Sequence, residues 1–120
     1  MILDDIQEKL LEIDPNVFYG TAEKLDRKKP WDYIVFSRRV MRPNSTKSGY
    51  TDMFEVAIVR EEYVPEGLPE KIIEALTSIK GVRMSERDGR YDYAVKPNTS
   101  DTVEMLVLEF VRPRKRPPNV

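Results

Sequence analysis

The chain contains no cysteine and no histidine. Without cysteine there are no disulfides, no thiolate metal sites and no cysteine nucleophile, so packing alone must hold the fold, a pattern that fits a reducing cytoplasm. Without histidine the commonest general base is gone, together with the usual triads and most zinc and iron sites. Five glycines are present, and none lies in a phosphate-cradling loop or a nucleotide fingerprint. Long apolar runs are missing too. Ile2, Leu3 and Ile6 are interrupted by Asp4, Asp5, Glu8 and Lys9, so the start reads as neither a secretory signal nor a membrane span. The expectation is a soluble protein with no membrane contact, no cofactor, no metal and no catalytic set.

The carboxylates agree. Glu8, Glu12, Glu70 and Glu74 fall on the polar side of helical patterns, and Glu61, Glu62 and Asp88 fall in turns. Glu55 and Glu109 stand inside strand patterns, as a buried pair, as interface ion-pair donors or, the preferred reading, at solvent-facing positions. Asp88, Gly89 and Asp92 lack the remaining ligands of a calcium loop. The sequons at Asn44 and Asn98 carry no weight without a secretory signal.

What is present fits one domain. The 120 residues, 14.0 kDa, are enough for a single core. Residues 1–111 read as that domain and 112–120 as a flexible basic, proline-rich tail whose prolines cannot extend a strand. The organising unit is central. Phe54, Val56 and Ile58 alternate with smaller or polar residues, the period of a strand. Pro65, Gly67 and Pro69 then turn the chain, Leu68, Ile72, Leu76 and Ile79 recur at helical spacing, and Gly81 suits a left-handed stop. The helix must bury this stripe on the sheet that contains Phe54.

Around that unit, Ile2 to Ile13 reads as an amphipathic helix ended by Asp14-Pro15-Asn16. Val17-Phe18-Tyr19 is a short strand and 21–30 a basic loop. Tyr33-Ile34-Val35-Phe36 is a strand with both faces covered. Residues 41–49 suit a long hairpin arm that is mobile unless a partner orders it. Asp88-Gly89, between residues 82–86 and 91–95, suggests a β-hairpin with a type I′ turn. Val103 to Val111 alternates on both faces and should be an interior strand. The sum is α+β: an antiparallel-rich sheet of five or six strands with two main helices. If both helices share one face, Ala57, Val59, Met105 and Val107 remain on the other. Either each helix covers its own face, or another subunit covers one.

Charge is segregated although the net value is −1. Residues 1–23 carry six acids and one base, 24–47 eight bases and two acids, 48–111 thirteen acids and seven bases, and 112–120 four bases. Opposite signs on different faces favour head-to-tail pairing of like subunits or docking on a charged partner; two solvated basic loops are the plain alternative. The candidate interface residues are Lys28, Lys29, Arg38, Arg39, Arg42 and Lys47, with Arg112, Arg114, Lys115 and Arg116 as candidate tail contacts. Trp31, Tyr33 and Phe36 interleave the first set, so a small nucleic-acid-binding module is a rival reading. The sequence pI of about 5.6 speaks against a dedicated DNA binder.

The order of parts resembles a family. An opening helix runs into Asn16-Val17-Phe18-Tyr19-Gly20, then Pro30-Trp31-Asp32-Tyr33-Ile34-Val35-Phe36. Tyr50-Thr51-Asp52-Met53-Phe54-Glu55-Val56 leads into the second helix, and Tyr91-Asp92-Tyr93 precedes a long closing strand. This layout is similar to that of the small tail terminator (tail completion) proteins of long-tailed bacteriophages and prophages. The resemblance implies a ring, expected to be a hexamer, on the head-proximal end of the tail tube, where it stops tube polymerisation and joins the tail to the head connector. It implies the tail tube protein and a connector or neck protein as partners, and DNA passing through the lumen without sequence specificity. It also implies a site of action in the host cytoplasm during assembly and in the tail-neck region of the virion. A head-closure or other neck protein shares the size and layout.

Overall fold

The computed structural model describes residues 1–21, 31–44 and 49–115. Its elements in chain order are α1 (Ile2–Leu11), β1 (Val17–Tyr19), β2 (Tyr33–Pro43), β3 (Gly49–Glu61), α2 (Leu68–Thr77), β4 (Arg83–Met84), β5 (Arg90–Val95) and β6 (Thr102–Lys115). The class is α+β. One six-stranded, mostly antiparallel sheet runs β1-β2-β3-β6-β4, with β5 also on β6, and only the β1–β2 pair is parallel.

Alternation along the strands selects the core. Ile34 pairs with Ile58 and Ile58 with Leu106; Phe36 pairs with Val56 and Val56 with Leu108; Phe54 pairs with Phe110. All eight side chains point to one face, where Ile6 and Leu10 of α1 and Ile72 and Leu76 of α2 meet them in one cluster. Each fully buried side chain of this size contributes roughly 1.5–3 kcal/mol. Both helices therefore cover the same face, which excludes the arrangement with one helix on each. The opposite face keeps half-buried Val35, Ala57, Met105 and Val107.

The helix limits follow from local chemistry. Asp4 and Asp5 occupy the first turn of α1, where the dipole favours acids. Beyond it the chain turns at Asp14, whose carboxylate accepts the Asn16 N–H at 2.8 Å. In α2, Pro69 sits in the first turn. Gly67, at φ 87°, is the N-cap, and Gly81 takes φ 85° three residues after the Ser78 C-cap.

Three expectations need correction. First, residues 82–95 are not a hairpin: β4 and β5 both run antiparallel to β6 along the same edge. Ser85 donates to the Glu109 carbonyl and Arg90 pairs with Val107, so 86–89 bulge opposite Leu108. Gly89 is not among the residues with positive φ, so the type I′ turn is absent. Pairing with β6 satisfies a long strand edge that an isolated hairpin would have left bare.

Second, the hairpin expected over 41–49 is there, but 41–43 and 49 belong to its paired strands, β2 and β3, rather than to the connection. Third, the closing strand does not stop at Val111: Arg112, Pro113, Arg114 and Lys115 pair with Asp52, Thr51, Tyr50 and Gly49. The prolines are tolerated for one reason. Asn44 donates its N–H to the Gly49 carbonyl, and ladder alternation then makes Pro43–Tyr50 and Pro113–Thr51 non-hydrogen-bonded pairs. Each proline nitrogen faces an outer edge where no ladder donor is required. The fourteen residues of β6, at about 3.3 Å each, account for most of the 53 Å long axis.

Candidate functional site

Past the helices, β2, β3 and β6 continue as a three-stranded arm, and this arm collects most of the described candidate residues. A register shift between Arg38 and Val40 is a β-bulge opposite Phe54 and Met53. The extra residue is Arg39: Val40 takes the place opposite Met53, and the alternation shifts by one, which brings Arg42 to the open face opposite Thr51. Arg38 stays on the helix side, where its Nε donates to the Tyr19 hydroxyl at 3.0 Å. Arg39 turns to the open face and makes a two-pronged contact with Glu55, 3.0 and 3.4 Å.

On the helix side, Arg38, Met41, Asp52, Arg112 and Arg114 line a concavity of about 610 Å³ beside the start of α1. Its single carboxylate is already engaged: Arg114 Nε lies 2.6 Å from Asp52 Oδ2, with the guanidinium 5.0 Å from the centre of the Tyr50 ring. Among the described residues Arg112 has no ion-pair partner, and Arg38 is held only by a neutral phenol. The concavity is thus electropositive, with two arginines available to an anionic group.

The open face has a different composition. Glu55 stands directly opposite Glu109, with Arg39 on the first and Arg87 3.9 Å from the second. Glu109 Oε1 is buried without a hydrogen-bond partner. Neither the solvent-facing reading nor a simple buried pair describes this arrangement, in which two half-buried acids are each flanked by an arginine. Arg42, Arg83 and Arg87 line the neighbouring depression. Among the described residues no group of three or more acidic side chains is placed to hold a metal ion, and no helix is long and apolar enough to cross a membrane.

The candidate residues therefore divide. Arg38, Arg39, Arg42, Arg112, Arg114 and Lys115 are gathered on the arm but split between its faces. Lys28, Lys29, Lys47 and Arg116 lie outside the described residues. Sequence reasoning missed the buried pair of Arg60 with Asp14, 2.5 Å apart, in which Arg60 also donates to the Tyr33 and Val59 carbonyls. It ties the end of α1 to the start of β2, and a separation of 46 residues leaves no local signal.

It also missed an aromatic edge. Tyr91, Tyr93 and Val95 of β5 are 55, 61 and 59 % exposed, and Tyr63 is 64 % exposed. Glu104 accepts the Val64 N–H, and its hydrogen bond to Tyr93 raises that phenol's pKa above the usual value. The alternating Tyr91-Asp92-Tyr93 pattern was the available signal. Comparison with protein-family models and with curated proteins returns no match to this chain.

Proposed function

We propose that the chain is a structural assembly protein that closes into a ring by head-to-tail contacts, acting as a tail terminator that caps a phage tail tube and joins it to the head connector. The observation that carries this reading is the inequality of its surfaces. The outside of the helix layer is acidic, with Asp4, Asp5, Glu8, Glu12, Glu66, Glu70 and Glu74 exposed. Arginines border the arm and the far sheet face, whose centre is half-buried and apolar. Such surfaces complement each other but not themselves, which is the requirement for a heterologous, ring-closing interface. The order of elements along nearly the whole chain supports the same assignment. A site of action in the host cytoplasm and then in the tail neck goes with it, and a neck protein of related layout differs only in its partner.

The test is charge reversal at Arg38, Arg39 and Arg42 together. Loss of rings and of head joining in an assembly reaction is expected, whereas normal rings with normal joining would refute the proposal. A second reading, contact with DNA, is favoured by Arg38 and Arg112 on the helix side of the arm, neither of which has an acidic partner among the described residues. It requires DNA affinity in the isolated monomer that falls steeply with salt, and salt-independent or absent affinity would exclude it.

A further inference from the structure

We infer that β5 is a self-pairing edge through which two copies of this chain join antiparallel about a two-fold axis at Tyr91, making one continuous sheet with Arg90 of each copy opposite Asp92 of the other. The contact lies apart from the arm and does not depend on the ring.

The first ground is backbone chemistry. Lys96 donates its N–H to the Asp101 carbonyl, which sets the alternation along β5 and β6. Arg90, Asp92 and Ala94 then turn their backbone groups inward to β6, and Tyr91, Tyr93 and Val95 turn theirs outward. Among the described residues the outer edge of β5 is unpaired apart from Tyr93, whose N–H goes to the Asp92 carboxylate at 2.9 Å. All six residues are exposed, and the row of Tyr91, Tyr93 and Val95 carries no charge to repel another strand. A bare apolar edge of this kind is a template for strand addition.

The second ground is charge, which also selects the partner and the register. A two-fold axis normal to the sheet keeps the helices of both copies on one side, so residues of the same face must lie opposite each other. Centring on Tyr91 makes Tyr91–Tyr91 the hydrogen-bonded pair, using backbone groups that already point outward. The adjacent close pairs then bring Arg90 beside Asp92 of the second copy, twice. Neither side chain has an ion-pair partner within its own chain among the described residues. Centring on Asp92 would oppose two carboxylates through inward-facing groups. Centring on Tyr93 would set Arg90 against Lys96. Of the three registers, the one centred on Tyr91 pairs opposite charges through a central residue whose backbone groups face outward.

The experiment is sedimentation equilibrium of the full chain over a concentration series. The wild-type protein is expected to form pairs. Arg90→Asp and Asp92→Arg should each weaken pairing by at least about tenfold, and the double exchange should restore it. Tyr91→Cys, the only thiol in the molecule, should give a disulfide-linked pair on oxidation, since hydrogen-bonded partners sit about 5.5 Å apart at Cα. Pairing that ignores the single reversals, a double exchange that restores nothing, or a persistent monomer would each overturn the inference. The outcome separates from the ring: rings that tolerate both reversals leave the ring standing and remove this contact, whereas reversal-sensitive pairs that never form rings on tail tubes do the opposite.

Discussion

The covered body of the sheet and its bare arm are built from the same three strands but held by different forces. In the body, Phe36, Phe54, Val56, Ile58, Leu106, Leu108 and Phe110 lie under two helices and are almost wholly buried. In the arm, β2, β3 and β6 continue without a helix over them. Cohesion there comes from the ladder, the Asp52–Arg114 pair, the Tyr50–Arg114 contact and the Thr51 hydroxyl donating to the Asn44 side chain at 3.0 Å. Burial makes the body cooperative. The arm, supported by polar contacts near water, is the part that can present charge and yield locally to a partner.

Changes in the body should be the most severe. Phe54→Ala should cost about 3–5 kcal/mol, seen as a large fall in the denaturation midpoint for helices and sheet together. Asp14→Ala strands Arg60 in a half-dry site where, among the described residues, the Tyr33 and Val59 carbonyls remain as partners, and should cost about 2–3 kcal/mol. An unchanged midpoint would mean that this link does not hold α1 to the sheet.

The arm should respond less, and locally. At Gly49 an added Cβ would run into the backbone carbonyl of Arg114, so Gly49→Ala should cost about 1–2 kcal/mol through a backbone shift. Hydrogen exchange should rise in 49–53 and 111–115 but not around Phe54. Asp52→Asn removes a partly exposed ion pair and should cost less than about 1 kcal/mol, while leaving Arg114 free and the concavity more positive. If either arm variant destabilised the molecule as much as Phe54→Ala, the distinction between the two regions would fail.

The same division explains what the sequence made legible. In the body, one residue set alternates on each strand and recurs at helical spacing in α1 and α2, so class, element order and the core of Phe54, Ile72 and Leu76 could be read directly. In the arm, Pro113 read as a breaker, because a proline's effect depends on which way its nitrogen faces, and that is fixed by the neighbouring strand. Asp88-Gly89 read as a hairpin turn for a similar reason: the local preference was outweighed by the open edge of β6. The candidate site was legible as a basic composition but not as a geometry. Nothing local announces that a bulge after Arg38 shifts Arg42 to the open face, or that Glu55 faces Glu109 across fifty-four positions of chain.

The central claim, a ring-forming assembly protein with unlike complementary faces, is tested most directly by the mass of the purified chain in light scattering, alone and then with tail tube protein. The account predicts a closed ring of six copies, either in solution or on the tube end. A chain that never forms a ring and shows no association with the tube would contradict it.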